Sequence, residues 1–343
     1  RGFLIDYTNL NDLREFTKGI KKYAKSINAF VVKIDPPIAI SEKHLDLENK
    51  NEMPINYSIN SNIKLNNLKE CNYKHRGYKK GINDYIQPRY NILISLIDKD
   101  NNILNEEELL NGFKRNAKRY YGEFQSKRGI TFKCSHNNDL TKEFYKTIKS
   151  TENRQTGISL RNEEYFRNIM NIFKEDAYMY IAEIDVNIFI KFLENEISST
   201  NDVKLKEKYV EQLEDAKKVK KEHGDIVSLA STLAIIPPNK NGIKKVEFLY
   251  AGTFEEAFPY LNANVGVHIY SFIEFMKKGY HYADLEGIDG SLNDHLTKTK
   301  EKYNPILLEY VGEFDLSTNW FWYFIFSKFG VQLNRIYRRL KGR

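Results

Sequence analysis

The sequence predicts a mixed α/β or α+β protein made of two similar lobes, with a helical arm inserted in the second lobe. Helix-like and strand-like segments alternate along the 343 residues, which is the pattern of this fold class. The length allows two domains with sizeable cores. Between two predicted strands, two strongly helical segments interrupt the alternation, and they predict the arm.

The first half of the chain alternates short strands with helices. Hydrophobic periodicity predicts, in order, a helix over 10–24, strands over 29–34 and 91–97, a helix over 106–121, a strand over 129–133 and a helix over 140–148. The stretch 41–74 is polar and rich in Asn, so it is predicted to be a long loop with room for one short element. The helix over 106–121 has acids in its first turn and bases in its last, as the helix dipole favours.

The second half repeats this style. Its predicted elements are an extended segment over 157–160, a helix over 163–173, strands over 178–184, 227–236 and 246–250, a helix over 265–278 and a strand over 281–285. Gly279 is expected to terminate the helix before it. Alternation along the strand over 246–250 places Val246, Phe248 and Tyr250 on one face.

The arm is predicted as an antiparallel hairpin of helices over 187–197 and 203–222. The second helix carries apolar residues at coiled-coil spacing and is about 30 Å long at ~1.5 Å per residue. Such an insertion is expected to be separable from the acceptor cleft. Its charge is nearly balanced, and its basic cluster consists of Lys217, Lys218, Lys220 and Lys221. On charge alone a packed insertion without a partner is favoured over a nucleic-acid-binding arm.

The net charge of +7 is concentrated at the C-terminus. Six bases and no acid occur from residue 328 onward: Lys328, Arg335, Arg338, Arg339, Lys341 and Arg343. A local basic patch indicates a phosphate-bearing partner, either nucleic acid or anionic lipid. The preceding aromatic run, 320–326, has two interpretations, a seal over the first lobe or a membrane-interface belt.

Several chemistries lack their sequence signature. The two cysteines show no CxxC spacing, and the seven histidines show no HExxH or paired ligand spacing. There is no GxSxG elbow, no GxxxxGK[ST] loop and no GxGxxG after a strand. The lack of a Gly-rich loop before a helix argues weakly against an acyl-CoA donor. No apolar run is long enough to cross a bilayer and no secretory signal is seen, which favours the cytoplasm.

An ordered series of segments extends over nearly the whole chain. It comprises 1–7, 21–25, 32–36, 74–78, 87–90, 114–119 with 129–130, 158–161 with Tyr165, 248–252 and 308–314. In this order the segments resemble the Fem family of non-ribosomal peptidyl transferases, which move an amino acid from aminoacyl-tRNA to the stem peptide of a peptidoglycan precursor.

The resemblance implies two N-acyltransferase (GNAT)-like lobes. The first would comprise 1–138 plus 317–343 and be incomplete at its N-terminus, the second would comprise 139–186 plus 226–316, and 187–225 would form a coiled-coil arm. In the family such an arm looks like the tRNA-binding arm of seryl-tRNA synthetase, and this raises the expectation that the arm binds tRNA.

The resemblance also implies site residues. Those expected to contact the acceptor substrate are Ser159, Arg161, Tyr165, Phe248, Tyr250 and Thr299. Phe248 stands where Tyr is common, and Thr299 stands where the family has Phe. Lys300 is implied as the catalytic residue that stabilises the oxyanion, although a run such as Lys298, Lys300 and Lys302 is by itself typical of a solvated loop. The general base is left open, since Asp284, Glu286 and Asp289 are equally explained by structural roles.

The implied reaction needs no ATP, metal or other cofactor, because the aminoacyl ester is already activated. The implied partners are aminoacyl-tRNA and an acceptor, either lipid II or UDP-MurNAc-pentapeptide. A peripheral contact with the inner face of the plasma membrane is expected through Arg335, Arg338, Arg339, Lys341 and Arg343. Two alternatives stay open, a non-enzymatic protein that binds RNA or a membrane surface and a CoA-dependent N-acyltransferase.

Overall fold

The computed structural model describes residues 2–47, 56–57, 60–79, 81, 87–154, 161–238 and 242–329. The helices are α1 Leu10–Ser26, α2 Ser61–Glu70, α3 Glu106–Gly112, α4 Arg115–Lys127, α5 Thr141–Arg154, α6 Glu163–Phe173, α7 Val186–Ser199, α8 Val203–His223, α9 Ala263–Lys277, α10 His295–Lys300 and α11 320–329. The strands are β1 Val31–Ile34, β2 Ala39–His44, β3 Asn56–Tyr57, β4 Tyr73–His75, β5 Tyr90–Ser95, β6 Ile130–Ser135, β7 Ala177–Asp185, β8 Ile226–Ile235, β9 Lys245–Thr253, β10 Tyr282–Ile288, β11 Ile306–Tyr310 and β12 Phe314–Ser317.

Within the described part of the chain the strands form two sheets. The large sheet has nine strands in the order β3-β2-β11-β5-β10-β9-β8-β7-β6, and the small sheet has the order β1-β12-β4. All neighbouring strands are antiparallel except β9 and β10, which are parallel. The predicted mixed α/β fold is confirmed. The predicted domain boundaries stay a prediction, and the large sheet contains strands from both proposed lobes.

The main core lies against α9, which is apolar on nearly every side. Buried α9 residues such as Phe272 and Phe275 pack with β7, β8, β9 and β10 in one hydrophobic cluster. A second cluster packs α1 and α2 against the small sheet, and a third lies between α5, α6 and strands β7 and β8. As predicted, Gly279 follows α9 with a φ of +75°, a conformation that favours glycine.

Two predictions in the first half are wrong. The segment 41–74 was predicted to be a long loop with room for one short element, whereas it contains the ten-residue helix α2 as well as strands β3 and β4. That helix has no clear apolar stripe, and buried Asn67 holds it by donating from Nδ2 to the carbonyls of Tyr7 and Thr8 at 3.0 and 2.9 Å. The supposed single helix over 106–121 is broken into α3 and α4. At the break Phe113 is extended, and the Lys114 backbone N–H donates to the Lys302 carbonyl at 2.9 Å.

The predicted helical hairpin is present as α7 and α8, while its coiled-coil character stays a prediction. Asp185 caps α7 and Asp202 caps α8 through side-chain oxygens. The base of the hairpin is part of the main core, and its separation from the acceptor cleft stays a prediction. Phe189 and Leu193 of α7 are fully buried there, and Ala216 of α8 joins them. Residues 201–208 at the other end are exposed.

The aromatic run does not form a seal within the described chain. Trp320 is 76% exposed and Trp322 is 55% exposed, and Phe321, Phe324, Phe326 and Phe329 of the same helix are also exposed. Tyr323 fixes α11 to the small sheet by donating its hydroxyl to Asp315 Oδ2 at 3.0 Å. Among the described helices, none combines the length and apolarity that a bilayer crossing requires. Arg335, Arg338, Arg339, Lys341 and Arg343 lie outside the described residues.

Candidate active site

The parallel strands β9 and β10 separate soon after they meet. They pair at only three positions, Tyr282 with Lys245, Ala283 with Val246, and Asp284 with Glu247. Beyond Asp284, β10 continues beside β5 alone, and β9 continues beside β8. A crevice beyond the carboxyl ends of parallel strands is the usual place for a ligand in an open α/β sheet.

A β-bulge shapes β10 at the point of separation. The register with β5 shifts between Asp284 and Gly287, and Glu286 between them has a φ of +60°. Asp284 holds this shape, because its Oδ1 accepts a hydrogen bond from the Glu286 backbone N–H at 2.8 Å. A non-glycine residue in the left-handed region is uncommon, and residues with such strained backbones are concentrated at functional sites.

Lys300 at the end of α10 is anchored on this bulge. Its Nζ donates to the carbonyls of Leu285 at 2.6 Å and Gly287 at 3.1 Å, which leaves its third N–H outside these two bonds. Burial of the ammonium lowers the pKa of Lys300 to about 8. Three carboxylates oppose that shift, in the order Glu286, Asp284 and Asp294. The lysine is therefore a fixed cation at neutral pH rather than a solvated surface charge.

A partly buried histidine, His268, lies near Lys300 on α9. His268 Nδ1 contacts the Asn264 carbonyl at 2.6 Å, and because a carbonyl only accepts, Nδ1 carries the proton and Nε2 is unprotonated. Burial lowers the pKa of His268 to about 4, and the positive charge of Lys300 acts in the same direction. His268 is thus neutral at physiological pH. Its ring neighbours include Phe248 at 5.8 Å and Tyr303 at 6.1 Å between centroids.

A second group of site residues lies at the start of α6 and on β9, with Arg161 just before the α6 cap. The guanidinium carbon of Arg161 lies 5.4 Å from the Tyr165 ring centroid, and the Tyr250 hydroxyl donates to the Tyr165 hydroxyl at 3.4 Å. Burial raises the pKa of Tyr250 to about 12, so the phenol keeps its proton. The structure thus brings together three residues of the predicted acceptor site. Arg161 is exposed there, as a phosphate-binding side chain needs to be.

Phe248 is separated from that group, and the expectation that Val246, Phe248 and Tyr250 share one face is wrong. The register between β8 and β9 shifts so that Leu233 pairs with Tyr250 and Ala234 with Phe248. The extra residue, Leu249, turns the two rings to opposite faces of the sheet. Phe248 is buried in the main cluster with His268, whereas Tyr250 packs against the third cluster.

The other predicted site residues are placed as follows. Thr299 precedes Lys300 on α10, and its hydroxyl donates to the His295 carbonyl at 3.0 Å. Ser159 lies outside the described residues. The four arm lysines are exposed near the end of α8, where Lys217 pairs with Glu214 at 2.8 Å and Lys220 donates to Asn187 Oδ1 at 2.6 Å.

Sequence reasoning missed His268 and did not distinguish Glu286 from its neighbours. His268 occupies one position of an apolar helix, and no spacing with another candidate ligand or base marks it. The special backbone of Glu286 depends on the bulge. The glycine that follows, Gly287, is a local sign of irregular backbone. In the structure it is needed because a Cβ at position 287 would lie 2.2 Å from Pro88.

Replacing Arg161 with alanine is expected to raise the KM for the acceptor about tenfold or more while kcat changes less, because the variant lacks a charge-assisted hydrogen bond worth roughly 1.5–3 kcal/mol. Steady-state kinetics with varied acceptor measures this. Arg167→Ala is the matched control on the adjoining helix α6, since Arg167 is bound to Glu163 through Nε at 3.0 Å. A fall in kcat with an unchanged acceptor KM would contradict this role for Arg161.

Comparison with known proteins agrees with this arrangement. A model described as the FemAB family matches residues 1–208 and 198–329. The lipid II:glycine glycyltransferase of Staphylococcus aureus is 29% identical over an alignment 357 residues long, gaps included. The alignment covers 93% of this chain and 76% of that protein. The crystal structure of FemX is matched with a TM-score of 0.66 and 25% identity, over 95% of this chain and 81% of that one. The chain therefore belongs to the FemAB family.

Proposed function

We propose that the protein transfers an amino acid from aminoacyl-tRNA to the stem peptide of a peptidoglycan precursor, either lipid II or UDP-MurNAc-pentapeptide. Similarity to a lipid II:glycine glycyltransferase favours glycine as the amino acid and lipid II as the acceptor. In this proposal the enzyme works at the cytoplasmic face of the membrane. The basic residues Arg335, Arg338, Arg339, Lys341 and Arg343, with no acid among them, contact anionic lipid there.

The observation that carries the proposal is the placement of Lys300 in a chain of this family. Aminoacyl transfer needs a strong donor for the oxyanion that develops on the ester carbonyl. The Lys300 ammonium is held by two backbone carbonyls beside the separation of β9 and β10, with a third N–H directed elsewhere. Its geometry is therefore fixed before substrate binds, which is what electrostatic stabilisation of a transition state requires.

The remaining steps follow from binding. Holding the two substrates in reactive geometry supplies a large part of the rate increase, because a bimolecular encounter becomes effectively unimolecular. Arg161, with Tyr165 and Tyr250 beside it, offers a guanidinium and two phenols for the phosphates and polar groups of the acceptor. The ester supplies the activation, so this proposal needs neither ATP nor a metal.

The test of the function is a panel of tRNAs charged with different amino acids, each offered with lipid II and with UDP-MurNAc-pentapeptide. Acetyl-CoA replaces charged tRNA in a parallel series. Transfer from one or a few charged tRNAs to either acceptor is the expected result. Transfer from acetyl-CoA alone would favour a CoA-dependent acyltransferase, and binding of tRNA or lipid without any transfer would favour a non-enzymatic protein.

The tRNA role of the arm is better tested by substitution than by deletion, because removal of 187–225 would expose the main core. Changing Lys217, Lys218 and Lys221 to glutamine is expected to raise the KM for charged tRNA. The slope of log KM against log salt concentration is expected to fall by about one for each phosphate that is no longer neutralised. Lys220 is left intact, since it is bound to Asn187 and Asp225.

The matched control changes three exposed lysines of α1, Lys18, Lys22 and Lys25, to glutamine. It removes the same charge from a helix outside the arm. Equal effects of the two triple variants on the tRNA KM would show that only overall charge matters, and would contradict a specific role of the arm.

A further inference from the structure

The acceptor amine must lose protons during transfer, and three carboxylates lie near the end of β10. Asp284 is buried and already engaged, because it accepts from the Glu286 backbone N–H at 2.8 Å and from Lys245 Nζ at 3.0 Å. Asp289 closes a turn by accepting from the Ser291 backbone N–H at 2.8 Å. Glu286 is exposed at the point where β9 and β10 separate.

The backbone conformation of Glu286 is energetically unfavourable for a glutamate. Its φ of +60° is a conformation that glycine adopts without strain and that glutamate adopts rarely. The bulge, the Asp284 hydrogen bond and the packing of Pro88 against Gly287 together impose it. Strained residues kept in this way concentrate at functional sites.

Glu286 lies on the part of the bulge to which Lys300 is anchored. Lys300 Nζ donates to the carbonyls of Leu285 at 2.6 Å and Gly287 at 3.1 Å, the two residues on either side of Glu286. The carboxylate and the proposed oxyanion donor therefore occupy one small region of the bulge. An ammonium group that approaches the ester carbonyl beside Lys300 would therefore find an exposed carboxylate, Glu286, on the same bulge.

We propose that Glu286 binds the acceptor ammonium and accepts its proton, which makes it a catalytic residue of the transfer; this inference rests on the proposed function. One proton passes from the acceptor nitrogen to a Glu286 oxygen, and the freed lone pair forms the C–N bond to the ester carbonyl carbon. The bond from that carbon to the tRNA 3′ oxygen breaks, and the leaving oxygen takes a second proton from the same nitrogen. Glu286 then releases its proton to solvent.

The kinetic test uses the full chain with Glu286→Gln. The variant keeps the side-chain length but cannot take up the proton. We expect kcat to fall about tenfold and the KM for charged tRNA to stay unchanged. This loss of rate is smaller than is usual for removal of a general base, because water can reach this exposed position and accept the proton instead. Asp289→Asn is the matched control and is expected to keep its rate. A kcat for Glu286→Gln within twofold of the unaltered chain would overturn the proposal.

A second variant separates strain from chemistry. Glu286→Gly relieves the backbone at φ +60°, so its melting temperature is expected to rise while its rate falls at least as far as that of Glu286→Gln. A purely structural role of Glu286 would instead lower both the stability and the rate. That result would overturn the proposal.

A binding measurement decides the matter independently of turnover. Calorimetry compares UDP-MurNAc-pentapeptide carrying its free amine with the same molecule acetylated at that amine. The unaltered chain is expected to bind the free amine at least several-fold more tightly, and Glu286→Gln is expected to bind both alike. The same preference in both proteins would overturn the proposal. Lack of transfer by the unaltered chain would contradict the proposed function, whereas this comparison would still decide the role of Glu286.

Discussion

Lys300→Met is expected to lower kcat/KM about a hundredfold, which corresponds to roughly 3 kcal/mol for the loss of one oxyanion donor. The methionine fills a similar volume but cannot donate a hydrogen bond. The loss should appear in kcat with both substrates saturating, because the interaction is made in the transition state. Steady-state kinetics with charged tRNA and the acceptor measures it.

The matched control is Lys298→Met, which removes an exposed lysine from the same short helix. It is expected to act like the unaltered chain. Circular dichroism and a thermal melt show whether both variants are folded. Near-normal turnover by folded Lys300→Met would remove Lys300 from the mechanism.

The pH profile gives a second readout of the same residue. Since burial lowers the pKa of Lys300 to about 8, the ammonium is lost as the pH rises through that value. Activity that depends on the cation should therefore decline above pH 8. Lys300→Arg keeps its charge throughout this range, so any residual activity of that variant should lack this decline. An unchanged alkaline limb in Lys300→Arg would assign the decline to another group.

Gly252→Ala is expected to destabilise the fold by about 3 kcal/mol, the upper part of the range for overpacking a close contact. A Cβ at this position of β9 would lie 2.6 Å from the Ile148 backbone nitrogen and 2.7 Å from the Thr147 carbonyl carbon. These are backbone atoms of α5, so no side-chain rotation can relieve the clash. Urea unfolding measures the change.

Gly122→Ala is the control for this substitution. Gly122 lies within α4, and nothing lies within 4 Å of where its Cβ would be placed. The same chemical change should stabilise that helix by up to about 1 kcal/mol, because alanine is the better helix former. Equal destabilisation at both positions would show that the approach of α5 to β9 is not the cause.

Periodicity predicted much of the fold where burial follows a regular pattern. The helix α9 and the strands β7 and β8 were found because their residues are buried along nearly continuous apolar runs. The same approach failed at α2, because the feature that holds it is the amide of Asn67 rather than an apolar stripe. It also failed at the break after α3, which depends on a hydrogen bond to Lys302, far away in sequence.

The site shows the same division between local and long-range causes. Arg161 and Tyr165 were correctly expected to be neighbours, because a residue just before a helix can reach the same face as a residue in its first turn. Phe248 and Tyr250 were wrongly placed together, since a bulge in the pairing of two strands has no signature in a short segment. The left-handed backbone of Glu286 comes from the same kind of irregularity in β10.

The small sheet joins parts of the chain that are made at very different times. Val31 of β1 pairs with Ser317 of β12, and β12 also supplies the edge on which β4 pairs. At the usual ribosomal pace of about 5–20 residues per second, β1 and β4 must wait roughly ten seconds to a minute for their central strand. During synthesis α1, α2 and their apolar faces are therefore without the sheet that covers them. We expect this region to expose apolar surface on the nascent chain until β12 has been made.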